Sequence, residues 1–307
     1  MKYLITGGAG NLGSGLAKHL LSDNKSCEVV ISDKFLTGSS SNLPNEFGER
    51  FKFISADANS LPEMTAIFEE YDFDIVFHYA AVVGVDRTLN DPLSVLNDIE
   101  GIKNILRLSH EKNVKRVFYS SSSEVYGEPV EIPLNEETTP LNSKLPYAIV
   151  KNVGEAYFRS YQRTHGLNYT IMRFFNTYGP NQSDDFVIPR FVNKAKRNED
   201  ILINGDGSQT RTFLYIDDNL EFISTIIKNE QCINKTVNVG SDEEITILQL
   251  AEMIKEYTNS QSKIVHMPAL KEGDMTRRKP DNSLMKSMIG KDLLSVEEGL
   301  KKYLDNI

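Results

Sequence analysis

The opening stretch KYLITGGAGNLGSGLAKHLLSD, Lys2 to Asp23, constrains the fold more than any other. KYLIT reads as a buried strand, the glycines as a tight turn, and Leu16, Leu20 and Leu21 recur at helical spacing. Strand, glycine turn and helix form the first part of a βαβ unit. Gly7, Gly10 and Gly13 make a G-x-x-G-x-x-G variant of the dinucleotide fingerprint. Glycine lets the backbone turn tightly and approach a pyrophosphate, which then sits on the N-terminal amides of the helix. A structural turn uses the same residues, so the glycines need support from a second position.

Asp33 supplies it. It ends the next apolar strand, EVVISD (Glu28 to Asp33), and follows Gly13 by 20 residues. A carboxylate there accepts hydrogen bonds from the adenosine ribose hydroxyls and repels a 2′-phosphate, so the spacing predicts NAD in preference to NADP. Three further strands follow: FKFISAD (Phe51 to Asp57), FDIVFHYAA (Phe73 to Ala81) and KRVFYSSS (Lys115 to Ser122), with helical segments such as PEMTAIFEEY and VLNDIEGIKNILRLSHEKN between them. This alternation predicts an α/β chain with a Rossmann-type doubly wound parallel sheet, covered on both faces, and ligands at the C-terminal strand ends. Asp57, Ala80, Ala81 and the serine run all fall on that edge. Asp57 reads equally as a contact to the adenine amino group and as the N-cap of the next helix.

Composition narrows the class. With 307 residues and 40% hydrophobic content, the chain is long enough for one large domain or two sharing an interface. A formal net charge of -9 argues against a general nucleic-acid binder, although basic residues gather in GDMTRRKPD (Gly273 to Asp281), a candidate site for a small anion. The longest nearly uncharged run, IVFHYAAVVGV (Ile75 to Val85), is too short to span a bilayer, and KYLITGG has no export signal ahead of it, so the expected location is the cytoplasm. Cys27 and Cys232 are expected to be reduced thiols, and no Cys and His spacing suits a structural metal. The five histidines, His19, His78, His110, His165 and His266, show no pairing pattern.

Two stretches carry candidate chemistry. SSSSEVYG (Ser120 to Gly127) sets four hydroxyls and the carboxylate of Glu124 just past an apolar strand. If residues 122 to 124 are extended, Ser122 and Glu124 point to the same side; a solvated strand mouth is the plain alternative. Downstream, LPYAIVKNVGEAYFRSYQRTHG places Tyr147 and Lys151 four residues apart on one helix face. An ammonium beside a phenol favours the phenolate, so this pair suits a general base.

With these features the chain resembles the extended short-chain dehydrogenase/reductase family, in its NAD-dependent nucleotide-sugar epimerase/dehydratase branch. The resemblance runs through TGGAGNLG, HYAAVVGV, SSSSEVYG, YAIVK, RFFNTYGPNQ, VIPRF, INGDGSQTRTFLYIDD, NVGSDEEITILQLAEMI and GDMTRRKPD. It implies that Tyr147 is the base, that Lys151 positions the nicotinamide ribose and tunes Tyr147, and that Ser122 relays or orients the proton. It implies a cofactor site of Gly7, Gly10, Asn11, Leu12, Gly13, Asp33, Asp57, Ala80, Ala81, Tyr147 and Lys151, with Asn11 standing where the family usually has an aromatic residue. For the nucleotide-diphosphate sugar it implies Ser123, Asn176, Arg211 and one or both of Arg277 and Arg278, with Glu124 facing the sugar as the family's dehydratases use it.

The same resemblance implies an NAD-binding domain over residues 1–175, with 212–240 returning to it, and a nucleotide-sugar-binding domain over 176–211 and 241–307. It also implies a homodimer through a four-helix bundle, made by the helix carrying Tyr147 and the preceding helix, about Pro92 to Lys112. HYAAVVGVDRTLNDP resembles the 4-epimerases, whereas SSSSEVYGEP resembles the decarboxylases and dehydratases. A sugar-nucleotide 4-epimerase acting through a 4-keto sugar is the leading expectation. The alternatives are a 4,6-dehydratase, a UDP-glucuronate-type decarboxylase and a C4 dehydrogenase releasing the ketone. An NAD-sensing protein on the same fold is the non-enzyme alternative, and the intact Ser122, Tyr147 and Lys151 set speaks against it.

Overall fold

The structure, a computed structural model, describes residues 1–269 and 275–307, so Gly273 and Asp274 of the basic stretch lie outside the described residues. The strands are β1 (Lys2–Thr6), β2 (Glu28–Asp33), β3 (Phe51–Ser55), β4 (Ile75–His78), β5 (Arg116–Ser122), β6 (Tyr169–Phe174), β7 (Thr177–Tyr178), β8 (Ile201–Asn204), β9 (Thr210–Thr212), β10 (Leu214–Tyr215), β11 (Lys235–Val239), β12 (Glu244–Thr246), β13 (Ile264–Met267) and β14 (Arg277–Arg278). The helices are α1 (Asn11–Asp23), α2 (Leu61–Glu70), α3 (Val85–Asn90), α4 (Pro92–Leu96), α5 (Asp98–Glu111), α6 (Pro146–His165), α7 (Val187–Lys196), α8 (Ile216–Lys228), α9 (Ile247–Tyr257), α10 (Ser283–Ile289) and α11 (Val296–Asp305).

Seven strands form one parallel sheet in the order β11-β6-β5-β4-β1-β2-β3. Its strands are apolar on both sides because both sides are covered. Tyr3, Ile5, Val29, Ile31, Phe77 and Phe118 enter one core, while Leu4, Val30, Val76, Val117 and Tyr119 enter the other. Alternate residues along each strand thus part to opposite faces, as strand geometry requires. The chain leaves β1 toward β2 on one side and later returns to β4 on the other. That reversal opens a crevice at the C-terminal strand ends, where doubly wound sheets take ligands.

Smaller sheets lie beyond this edge: β10 with β7, β13 with β8, and β12-β9-β14. The last brings Arg211 and Arg278 into direct register as parallel neighbours.

Several expected element bounds shift. The third and fourth strands stop at Ser55 and His78 rather than at Asp57 and Ala81; the residues beyond run as open chain along the crevice. The expected single helix from Pro92 to Lys112 is two helices meeting at Asn97, and Asp91 caps the first through Ser94 N–H at 3.1 Å. Residues 122 to 124 are not extended throughout: β5 ends at Ser122, and Ser123–Tyr126 coils into a short 3-10 turn. Asp57 is not the cap of α2, which starts after Ser60; its carboxylate accepts from Asn59 N–H at 2.9 Å instead. The histidines do include one pair, His110 stacked on His165 with ring centres 4.3 Å apart.

Candidate active site

One cleft of about 850 Å³ runs along the C-terminal ends of β1, β2, β4 and β5 and continues under α7, β8 and β9. Its first half begins at the glycine turn. Gly7 has a φ of 68°, and a Cβ there would stand 2.6 Å from Ala80 N. A Cβ on Gly13 would stand 2.6 Å from Gly8 Cα and 2.7 Å from Gly7 O. Both positions therefore exclude any larger residue, while Gly10 is the N-cap of α1. Asn11 and Leu12 line the cleft, and both polar atoms of the Asn11 side chain are buried without a partner among the described residues.

Asp33 is pinned by its own turn: Oδ2 accepts from Ala9 N–H at 2.9 Å and Oδ1 from Phe35 N–H at 2.7 Å. Each oxygen keeps an accepting lone pair. Lys34 beside it is engaged by Asp57 in an ion pair. Ala80 and Ala81 form the opposite wall. The bare glycine turn, the orphaned Asn11 amide and a fixed carboxylate at the end of β2 fit a dinucleotide with its pyrophosphate on α1 and its ribose diol at Asp33.

The expected reacting groups gather where β5 ends against α6. Pro146 at the first position of α6 fixes the helix start, and Tyr147 follows at once. Lys151, one turn on, is 3% exposed; its Nζ donates to Ser120 O at 2.6 Å and lies 5.6 Å from the Tyr147 ring centre. Burial pushes the Lys151 ammonium down to about 8, with the Asp98 carboxylate opposing the shift. Burial and then the Glu124 charge push the Tyr147 phenol up, and the Ser122 hydroxyl works against them. The protein alone thus leaves Tyr147 protonated at neutral pH.

Ser122 caps the 3-10 turn by accepting from Glu124 N–H at 3.1 Å, so the turn, not an extended strand, brings its hydroxyl close to Glu124. Glu124 Oε1 lies 2.9 Å from Arg278 Nη2, and Arg278 Nη1 donates to Ser123 Oγ at 3.4 Å. Nε of Arg278 is buried without a partner among the described residues. Arg277 faces the other way and forks onto Glu244 at 2.7 Å through both Nε and Nη2. Alternation along β14 explains the split. Arg277 is not among the cleft residues; Arg278, Arg211, Asn176, Ser123 and Glu124 are.

Arg211 and Arg278, 8% and 5% exposed, stand side by side across β9 and β14. Two cations so close and so buried favour a multiply charged anion between them. Asn176 reaches its place through a φ of 41°, an uncommon conformation held by Nδ2 donating to Thr212 O at 2.8 Å.

Sequence reading passed over Asp98, which is buried in the cleft wall and accepts from Val82 N–H at 2.7 Å. It also passed over Glu155 and its partners. The signal for Glu155 was present, since it continues the Tyr147 and Lys151 spacing by another four residues.

A nucleotide crevice in a doubly wound sheet, with Tyr and Lys on the helix behind it, defines an NAD-dependent enzyme of the extended short-chain dehydrogenase/reductase type. Residues 3–240 match the NAD dependent epimerase/dehydratase family, and the chain belongs to it. It is 36% identical to the UDP-N-acetyl-alpha-D-glucosaminuronate decarboxylase of Bacillus cytotoxicus, over 99% of this chain and 96% of that protein. It is 32% identical to UDP-glucuronic acid decarboxylase 6 of Arabidopsis thaliana, over 98% of this chain and 87% of the relative. Among solved structures, UDP-glucose 4-epimerase of Thermotoga maritima superposes with a TM-score of 0.92 at 30% identity, covering 100% of this chain and 98% of that one. The chain is therefore an enzyme of this class, with NAD as cofactor and nucleotide sugars as the substrates on which C4 chemistry is done. Among the described residues, no helix is long and apolar enough to cross a membrane.

Proposed function

We propose that this enzyme decarboxylates a UDP-linked hexuronate, losing C6 as carbon dioxide once C4 has become a ketone. The carrying observation is the Glu124 and Arg278 pair, 2.9 Å apart beside Ser122 on the sugar side of Tyr147. Inversion at C4 needs no such pair. The similarity to two decarboxylases, one of UDP-N-acetylglucosaminuronate and one of UDP-glucuronic acid, supports the same reading.

NAD supplies a reversible hydride exchange at C4 of the sugar. The chain's residues do the rest. Tyr147, once ionised beside the Lys151 ammonium, takes the C4 hydroxyl proton, with Ser122 holding the same oxygen. The ketone makes the C6 carboxylate a β-keto acid. The C5–C6 bond then breaks, carbon dioxide leaves, and the electron pair moves through C5 and C4 onto the C4 oxygen. Tyr147 and Ser122 hydrogen-bond that enolate oxygen. A solvent-derived proton passes through Glu124 to C5, with Arg278 fixing the carboxyl in place. Tyr147 returns its proton when C4 is reduced again, so the cycle is redox-neutral. Asn176, Arg211 and Arg278 hold the diphosphate, while Gly7, Gly10, Asn11, Leu12, Gly13, Asp33, Asp57, Ala80 and Ala81 hold the cofactor.

A second reading, 4-epimerisation, is favoured by the overlap with the Thermotoga maritima epimerase and by Ser122 and Tyr147 being sufficient for it. Mass spectrometry of the products of UDP-glucuronate and UDP-N-acetylglucosaminuronate separates the two. Loss of the mass of carbon dioxide is the expected result. A product of unchanged mass with C4 inverted would overturn decarboxylation in favour of epimerisation.

The working unit in this reading is a cytoplasmic homodimer. Leu93 and Leu96 of α4 and Ile149 of α6, which packs against it, are exposed apolar residues suited to a second copy. Cys27 and Cys232 are buried free thiols, in keeping with a reducing compartment.

A further inference from the structure

Beneath the serine turn lies a set of buried polar groups that the chemistry above does not use. Glu155, 0% exposed, accepts from Ser121 Oγ at 2.7 Å, from Arg173 Nε at 2.8 Å and from Arg173 Nη2 at 2.7 Å. Burial works against the Glu155 charge, but the Arg173 hydrogen bonds and charge outweigh it and hold the carboxyl below its ordinary range. The third guanidinium nitrogen of Arg173, Nη1, donates to the Tyr126 hydroxyl at 2.8 Å. Tyr126 in turn donates to Asn238 Oδ1 at 2.8 Å. Asn238 Nδ2 then donates to Leu134 O at 2.8 Å and to Asp281 O at 3.2 Å.

From Asn238 the path returns to its start. Leu134 exchanges backbone hydrogen bonds with the segment after β14, donating to Lys279 O and accepting from Asp281 N–H, both at 2.8 Å. Lys279 follows Arg278, and Arg278 meets Glu124 and Ser123. Glu124 and Tyr126 belong to the same 3-10 turn. The turn therefore contacts the Arg278 segment twice: directly through Glu124, and from beneath through Tyr126, Asn238 and Leu134.

We propose that Tyr126 is a positioning residue whose hydroxyl, through Asn238, sets the Arg278 strand against the Ser122 to Glu124 turn. An ion pair fixed at one point pivots; one braced at a second point keeps its distance. A core role alone would need only the ring, which lies 6.2 Å from Phe175. The hydroxyl, bonded to two partners, is the part that reaches the Arg278 segment. The inference rests on Arg278 serving the nucleotide sugar, as read above.

The test is a double-mutant cycle of Tyr126→Phe with Arg278→Ala, followed by calorimetric titration with UDP-glucuronate and, separately, with NAD. Tyr126→Phe is expected to weaken UDP-glucuronate binding about five- to tenfold in the unmutated background and less than about twofold when Arg278 is already alanine. NAD affinity is expected to change by less than about twofold in either case. Equal losses in both backgrounds, or a matching loss for NAD, would make Tyr126 a general structural residue and overturn the proposal. Asn135→Ala is the second variant: it releases Asp281 Oδ2, held by Asn135 Nδ2 at 3.1 Å, next to Leu134 in the same bridge. Its losses should likewise vanish in the Arg278→Ala background, and additive losses would count against the proposal. All titrations are run on proteins that also carry Tyr147→Phe, which blocks turnover, so an enzyme that binds UDP-glucuronate but, with Tyr147 intact, leaves its carboxylate in place would sink the decarboxylase reading alone.

Discussion

At the scale of single residues, two groups have their protonation set by burial in ways that can be measured. Burial and the Glu124 charge hold Tyr147 as a phenol, so the base role proposed for it would depend on the loaded enzyme. Tyr147→Phe should preserve folding and NAD affinity and lower kcat by about 10²- to 10⁴-fold, read by single-turnover kinetics. An unaltered kcat would remove Tyr147 from the chemistry. His78 stacks on Tyr119 and shares a 2.8 Å hydrogen bond with Thr6; burial, then the Lys151 charge, lowers its pKa from 6.5 to about 3. Between those values the unfolded chain binds a proton that the folded chain refuses, so stability rises with pH across the window and falls on acidification. His78→Gln should reduce that slope by up to about 1.4 kcal/mol per pH unit, read as urea midpoints at about pH 6 and about pH 4.5, both inside the window. Tyr147 and Lys151 were legible in the sequence because spacing along one helix puts them on one face, and Asp33 because it ends the strand that follows the glycine turn. The choice between Arg277 and Arg278 was not, since both pair with β9 and only tertiary packing decides which face of that small sheet looks into the cleft.

At the scale of elements, the glycine turn shows how a small change acts through backbone. Gly13 sits inside α1, where alanine would ordinarily favour the helix by about 1 kcal/mol. Here the added Cβ meets backbone atoms of Gly7 and Gly8, which have no side-chain freedom to yield. The clash should win. Gly13→Ala is expected to cost about 1 to 3 kcal/mol of stability and to weaken NAD binding at least about tenfold, by thermal melting and calorimetry. Unchanged NAD affinity would show that the turn spreads freely. Strand and helix periodicity gave away β1 to β5, five of the sheet's seven strands, and the inner ones among them are buried on both faces by local apolar runs. The short strands around Arg211 offered no such pattern: β9, β12 and β14 have three, three and two residues, and only tertiary pairing defines them. The 3-10 turn after Ser122 was hidden for a similar reason, its cap being a serine within a run of serines.

For the whole molecule, the exposed face of α4 and α6 carries the expectation about assembly. Leu93 is 73% exposed, with Leu96 and Ile149 nearby at 38% and 41%. Light scattering at micromolar concentration should give the mass of two chains, and Leu93→Asp should shift it toward one, because a charge at the centre of an apolar contact loses its hydration without a partner. A monomer in the unmutated protein would reject the pairing.

Arg278 also bears on how this enzyme comes into being. The residues proposed to cradle the dinucleotide, from Gly7 to Lys151, all precede Asn176, Arg211 and Arg278 in the chain, and β14 follows even the sheet's last strand, β11. A growing chain thus presents its proposed coenzyme residues before the arginine proposed to grip the sugar. Oxidising power and the means to direct it arrive in that order, and an unfinished chain has nothing on which to spend the first without the second.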